Sequence, residues 1–584
     1  MAVTWAEPWQ SPQAKAHRSA NGGPQRSGRK EVQQAVGTSK AKAPNLVLRE
    51  IREKQRRESR EEFAAAIVKT GRQLGDKQLG CDARQIARWE DGDTDCPRPA
   101  YQRALEALTG RPFDQLGFRP RGESAVSAPA KPNQLPTADI DSADGSTAIA
   151  GQRLTTDPAI GAALEWLDQH ANWPAGAARR RVRMALGRLD ASALEDLRQQ
   201  RGSVSREQIA RALASYYKPA APYGFYTARH ADHAITTSVL TRPEWIDLAL
   251  PLGCGLDSLK FDPTPQSFHT ALPALAVSAA ARRLAEIVIS AAKMVNARLY
   301  RLRYVDVSDH GLSGSVGLAR FADYALTLDL LEGELVDAIA SGAVIAPELL
   351  PLRGHYLADM ETLLGFASRL CVGGPLALLA IARDGQGRAA RQPDYILLVQ
   401  ERSATVLNSA RRLAVIPKAF HEPLVDLAAD AQILATIERE MEEELFGRAE
   451  VDSTLGGPRQ ADPMHLTRLT PPMRWLAEHP EAWRTECTAF GVNAVSGNYE
   501  LASVIVIDDP CWWDEYGGLI QANWESEGLL RYSSLDHDQL AALIHDPAWS
   551  NEGVFAFCQA LRRLRQTGED RVNLPKIDLE ETSG

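Results

Sequence analysis

The chain has 584 residues, of which 44% are hydrophobic and 24% charged; this excludes a disordered or fibrous protein and, at roughly 100 to 200 residues per domain, a single-core one. The net charge of -9 conceals an asymmetry: residues 1–122 hold 23 Lys and Arg against 15 Asp and Glu, a net of +8, and the remainder carries -17. The seven cysteines include no CxxC pair or zinc-type spacing, the longest apolar run (Gly373 to Ala382) is too short for a membrane helix, and the first residues lack the apolar core of a signal peptide. A reduced, cytoplasmic protein with no membrane partner is expected, and its basic front suggests a nucleic-acid module.

Residues 1–44 are rich in Ala, Gln, Gly, Pro, Ser and Lys without an apolar period, the composition of a disordered basic tail. Residues 45–118 read as helices separated by turns. Leu46, Leu48 and Ile51 mark the first. Ser59 and Glu62 have the spacing of a capping box, and Phe63, Ala64, Ile67 and Val68 give the second helix a buried face. After GRQLGDKQLG, a helix from about Asp82 to Glu90 turns Ile86 and Trp89 inward and Arg84, Gln85 and Arg88 outward. Arg pairs bidentately with guanine and Gln with adenine in a major groove, so these three are candidate base readers. Arg60, at the start of the second helix, is a candidate phosphate contact. A small bundle with a solvated basic face is the competing reading.

The runs SREEFAAAI, QIARWEDGD, PRPAYQRALEALTG and DQLGF resemble the helix-turn-helix domain of the Cro/lambda-repressor (Xre) class in its actinobacterial form. The resemblance implies binding of double-stranded DNA by the third helix, often as homodimers on palindromes. The chain departs from that pattern in its long second turn and in Arg60, where the family often has Gln.

Residues 119–152, dominated by Pro, Ala, Ser and Asp, have the composition of a linker. Residues 153–374 show three- and four-residue apolar spacing in AIGAALEWLDQH, AAARRLAEIVISAAKMVNARLY, FADYALTLDLLEGELVDAIA and YLADMETLLGFASRL, which predicts a central all-α domain. Within it, the His230 and His233 pair lacks the neighbours of a zinc site, HGLSGSVGLARF reads as a loop, SVSREQIARALASYY as a packing helix, and Trp166, Tyr223, Phe225, Tyr226 and Trp245 as core.

Residues 375–572 mix short apolar runs, DYILLVQER, RRLAVIPKAF and ELASVIVIDD, with helical ILATIEREMEEELF and VFAFCQALRRLR, as in a layered α/β domain; residues 573–584 read as a tail. On a regular helix Glu440, Glu443 and Glu444, spaced i, i+3 and i+4, share one face. Three carboxylates there repel unless a hard divalent cation, Mg²⁺ or Mn²⁺, lies among them; an acidic run is otherwise a solvated face.

REMEEELFG resembles the second half of the Nudix box, which implies an α/β/α sandwich, Glu440, Glu443 and Glu444 as metal ligands in diphosphate hydrolysis, and Arg439 as the arginine that orients a glutamate. The first half is poor: Val425 and Ala431 stand where the family has glycine and glutamate, with Glu422 or Asp426 as replacement acids after an insertion, and Phe446 is an extra residue before Gly447. The expected fold class is therefore multidomain α and α/β: a helix-turn-helix module, a central helical domain and a Nudix-like sandwich. The leading function is a DNA-binding transcriptional regulator sensing a nucleotide or nucleoside-diphosphate metabolite. Two others stay open, an active Mg²⁺-dependent hydrolase with an accessory DNA-binding module and a scaffold whose central helices hold a partner.

Overall fold

Hydrophobic burial divides the chain into two units, residues 1–135 and 136–584. The computed structural model describes residues 45–118 and 143–580, apart from short interruptions of which 74–79, 91–96, 190–196, 265–271, 385–391 and 449–462 are the longest. The expected tail over 1–44 lies outside the described residues.

In the first unit, α1 (Leu46–Glu50) runs into a π-helical turn (Ile51–Arg56), followed by α2 (Arg60–Gln73), α3 (Ala83–Glu90) and α4 (Pro99–Thr109). Leu48, Ile51, Phe63, Ile67, Ile86 and Trp89 close one core with Leu105 and Leu116. Trp89 meets Tyr101 and Phe118 edge-on, with centroids 5.3 and 6.0 Å away. The capping box is formed: Ser59 N–H donates to Glu62 Oε2 (2.8 Å), and Glu62 N–H donates to Ser59 Oγ (3.1 Å).

The second unit begins with α5 (Ala143–Thr156), α6 (Pro158–His170), α7 (Ala177–Leu186) and α8 (Arg206–Tyr217). The expected linker therefore becomes helical at Ala143, because Ala150 and Leu154 find a core to enter. The segment 153–374 is not all-α. It contributes β1 (Gly224–His230), β2 (His233–Thr241), β3 (Leu250–Pro251), β4 (Asp257–Phe261), β5 (Arg298–Ser308) and β6 (Gly311–Arg320), around helices α9 (Ala274–Ile289) and α10 (Leu330–Ala340). The run taken as helix through Tyr300 ends at Ile289, and HGLSGSVGLARF, expected as a loop, is mostly β6. β6 folds back on β5 as a hairpin, with Ser308 opposite Gly311, and its other side pairs with the distant β4, Asp257 opposite Leu312, a contact that no local window shows.

The remainder supplies β7 (Gly373–Arg383), β8 (Asp394–Arg402), β9 (Leu413–Val415), α11 (Ile433–Glu440) with a π-helical turn Met441–Leu445, α12 (Pro471–Glu478), β10 (Trp483–Asn493), β11 (Asn498–Ile507), α13 (Pro510–Tyr516), β12 (Ser526–Ser533), α14 (His537–Ile544), α15 (Asn551–Thr567) and β13 (Asp578–Leu579). The main sheet runs β12-β8-β7-β11-β10-β2-β1-β13, with β7 parallel to β11. The boundary expected at 374/375 is thus crossed: β2 pairs with β10 at Leu240↔Val492, so both regions share one sheet. Nor is 573–584 wholly a tail, since Leu579 pairs with Ala228 and Leu574 and Ile577 are buried.

Helices cover both sheet faces, which explains why β7 reads as unbroken apolar sequence. Ala377, Leu379 and Ile381 pack in one core with Ile433, Ile437, Met441 and Leu445 of the acidic helix. The alternate residues Leu376, Leu378 and Ala380 pack with Phe555 and Leu561 of α15. The molecule is a mixed α and α/β protein.

Candidate functional site

Helix α3 starts where Asp82 Oδ1 accepts the Gln85 N–H (2.8 Å). Its amphipathic spacing buries Ile86 and Trp89 and leaves Arg84 and Arg88 exposed. Gln85 is half-buried, with Oε1 accepting from Arg88 Nη2 at 3.5 Å. The three candidate base readers therefore share one short helix, and Arg60 is differently occupied. Glu90, fully buried at the end of α3, accepts from Arg52 Nε (2.6 Å) and pairs with Arg60 Nη2 (2.7 Å) and Arg49 Nε (3.6 Å). Burial works to raise the Glu90 pKa, but the charged hydrogen bonds from Arg52 and Arg60 outweigh it and hold the carboxyl below its ordinary range. Arg60 thus ties α2 to α3, while 36% of its side chain stays exposed.

In the second unit, Glu440, Glu443 and Arg439 line a cavity of about 150 Å³, joined by Lys418, Arg402 and Glu525. The central region builds its walls. Asp257 on β4 accepts the Ile433 N–H (2.7 Å) and caps α11, whose own Gln432 makes no side-chain cap. Tyr300 on β5 donates its N–H to the His421 carbonyl (2.8 Å) and its hydroxyl to Leu427 O (2.8 Å), fixing the loop in front of the cavity. Backbone crowding sets the floor: a Cβ at Gly374 would stand 2.3 Å from the Ala419 carbonyl oxygen, so no side chain fits there.

The regular helical spacing gives way at the π turn, where i→i+5 bonding widens the helix; such turns concentrate at functional sites. Glu440 and Glu443 line the cavity, whereas Glu444 is fully buried and accepts the Lys418 N–H through Oε2 (3.0 Å). Glu444 Oε1 is buried with no hydrogen-bond partner among the described residues. Glu440 Oε1 accepts from Arg439 Nη2 (2.6 Å), and Arg439 also faces Glu422 at 3.7 Å. Glu422 joins the cavity lining; Asp426 instead turns its carboxylate to the Ala428 and Ala429 amides.

Burial above all, then the charges of Glu443, Glu444 and Glu525, push the Glu440 pKa well above the ordinary carboxylate value against the pull of Arg439. Burial and Glu525 push Glu444 up to about 8 despite Arg402. Hard oxygen donors that destabilise one another, one of them orphaned, have the chemistry a divalent cation requires. Their side chains are not gathered for it: among the described residues no three His, Cys, Asp or Glu are arranged to hold a metal ion.

Other cavity residues escape sequence reading because they come from distant strands and loops. Arg402, at 7% exposure, places Nη2 3.4 Å from Glu525 Oε2, while its Nε and Nη1 find no acceptor among the described residues. Asn498 has a buried Oδ1 without a partner among the described residues. Glu500, raised to about 8 by burial and by Glu552, lies among apolar residues of β11, and that anomaly is the one signal available in sequence. Lys293 lies over the Trp524 ring at 4.1 Å. Outside this site, His230 and His233 end the strands of a hairpin, and His230 Nδ1 lies 2.9 Å from His545 Nε2. Among the described residues no helix is long and apolar enough to cross a membrane. No protein-family model matches the chain, and a search of curated proteins finds no relative.

Proposed function

We propose that the protein is a cytoplasmic DNA-binding transcriptional regulator of the Xre helix-turn-helix kind whose Nudix-like α/β unit senses a nucleotide or nucleoside-diphosphate metabolite. The cavity of the second unit carries this reading: it sets the orphan donors of buried Arg402 beside Lys418 and Arg439, a setting suited to phosphate oxygens. Phe321 and Phe420 add apolar lining on which a base can rest. On the DNA side, Arg84 and Arg88 stand exposed with Gln85 on the candidate recognition helix. Sensing requires the ligand to bind two arrangements of the protein unequally. The test selects DNA sequences with the full chain and titrates a selected site against a panel of nucleoside diphosphate compounds. Ligand-dependent affinity supports the reading, and constant affinity across the panel removes the sensing half.

The placement of Glu440 and Glu443 beside Arg439 favours a second reading, a Mg²⁺-dependent hydrolase. Glu440 and Glu443 would meet the ion in the cavity, Glu444 would join them only by leaving the Lys418 amide, and Arg439 would orient Glu440 through its hydrogen bond. The metal would supply charge neutralisation on the diphosphate and an activated water. Turnover lost on Glu443→Gln, with binding retained, selects this reading; no turnover from the folded wild type selects sensing alone.

A further inference from the structure

Where arginines lie at the surface of the second unit, carboxylates meet several of them: Arg201 pairs with Asp337 and Arg562 with Asp247, each at 2.6 Å. Helix α7 departs from this. The segment 171–189 holds five arginines, Arg179, Arg180, Arg181, Arg183 and Arg188, and no Asp or Glu, although residues 123–584 together carry -17. None of the five side chains has a hydrogen-bond or ion-pair partner among the described residues.

Helical periodicity sets this face. Ala178, Val182 and Leu186, four residues apart, enter the core, so Arg180, Arg181 and Arg183 turn outward and are exposed, with exposed Arg188 just beyond the helix end. Asp168 of α6 is spent on the start of the helix, its carboxylate accepting the Gly176 and Ala178 N–H groups at 2.6 Å each. Arg181 Cζ lies 4.1 Å from the Trp173 ring centroid, a cation–π contact that steadies the guanidinium and uses none of its N–H donors. Arg179 and Arg183 stand i, i+4 and Arg180 and Arg183 i, i+3, so like charges repel along the helix. No carboxylate among the described residues offsets that repulsion; a dense polyanion laid along the helix does.

We infer that α7 and Arg188 form a second DNA-contacting surface, on which Arg180, Arg181, Arg183 and Arg188 meet backbone phosphates without reading sequence. Duplex DNA carries about one negative charge per 1.7 Å of its axis, a density that suits three exposed arginines within four consecutive positions. Each guanidinium fork bonds phosphate oxygens through two N–H groups. A membrane surface does not suit this helix, because the apolar face it would insert is already buried in the core. The choice of DNA rests on the regulator reading above, whereas the surface itself is independent of α3.

Anisotropy titrations of the full chain with a duplex of arbitrary sequence, repeated over a range of KCl concentrations, test this. The probe is a triple variant, Arg180→Gln with Arg181→Gln and Arg183→Gln. The control makes the same change in charge at exposed residues elsewhere in the unit, Lys218→Gln with Lys260→Gln and Arg298→Gln. In the probe, the slope of log affinity against log salt should flatten by about 0.9 for each arginine that neutralises a phosphate, and affinity at low salt should fall at least about tenfold. The control should stay near wild type, and replacing the same three arginines by lysine should keep the slope. The glutamine variant should melt no lower than wild type, since it relieves repulsion. Arg84→Ala and Arg88→Ala, titrated alongside, separate the two surfaces: a flattened slope in the α7 variant beside unchanged binding in those two keeps this inference and dismisses α3. No binding of the duplex, an unchanged slope in the α7 variant, or an equal loss in the control overturns the inference, whichever way α3 fares.

Discussion

Lys418 and Glu552 form a buried ion pair, Nζ to Oε1 2.6 Å, in which the lysine lines the cavity of about 150 Å³ and the glutamate a second cavity of about 720 Å³. Burial works to raise the Glu552 pKa, yet Lys418, helped by Ser409, draws it down to about 2. Removing the lysine leaves a desolvated charge, so Lys418→Met should destabilise the second unit by about 3 to 5 kcal/mol, and adding Glu552→Gln should restore a large part of it. Denaturant midpoints of the wild type, single and double variants measure this. Equal loss in the single and double variants would place the cost elsewhere.

Glu444 and Glu500 predict a dependence of stability on pH. Both have folded-state pKa values of about 8, above the ordinary 4.5, because burial favours the neutral acid. The folded state then holds more protons than the unfolded chain between those values, and stability falls as pH rises through that window. His421, buried and lowered to about 3 from 6.5, contributes the reverse trend only below 6.5. From 6.5 to 8 each acid should therefore cost roughly 1 to 2 kcal/mol, at about 1.4 kcal/mol per unit. Chemical denaturation across that range should show the slope, and Glu444→Gln or Glu500→Gln should reduce it. Mg²⁺ should flatten the Glu444 part of the slope if Glu444 holds the ion; a slope insensitive to Mg²⁺ counts against Glu444 as a ligand.

What could be read in the sequence follows the range of the forces involved. Helix α11, helix α15 and strands β8 and β11 carry their own apolar period, and each lies where that period predicts. Strand β5 does not: RLYRLRYVDVS holds three arginines, and one of them, Arg301, is buried where the Ala367 and Arg369 carbonyls accept from its guanidinium. No local window shows those acceptors. The same limit hid most of the cavity: Glu440 and Glu443 announce themselves as a cluster, whereas Arg402, Asn498 and Glu525 reach it from separate elements. Nor does helical spacing show that Glu444 is spent on the Lys418 amide, while Glu440 and Glu443 line the cavity.

The different settings of Arg60, Arg84 and Arg88 yield a prediction that separates DNA contact from folding. Arg84→Ala or Arg88→Ala should leave the stability of the first unit within about 0.5 kcal/mol of wild type, as expected for exposed positions. Each should weaken binding to a selected DNA site by about 1 to 3 kcal/mol if it reads a base. Arg60→Ala removes a partner of buried Glu90 and should lower the stability of that unit first. Melting curves and anisotropy titrations on the same variants decide this; unchanged DNA affinity in both Arg84→Ala and Arg88→Ala would dismiss α3 as the reading helix.

The C-terminal segment offers a test of the shared sheet. Leu574 and Ile577, each 3% exposed, pack under the sheet with Tyr226 and Phe555, and Leu579 completes the edge beyond β1. Burying one such aliphatic side chain contributes about 1.5 to 3 kcal/mol, so truncation after residue 572 should cost several kcal/mol in the second unit. It also uncovers the edge of β1, whose free N–H and C=O groups invite pairing between molecules. The truncated chain should therefore unfold at lower denaturant and elute from size exclusion as larger species. Ile577→Ala, which keeps β13 in place, should reproduce the loss of stability without the association. If truncation left both stability and size unchanged, 573–584 would be a tail after all, and the sheet would end functionally at β1.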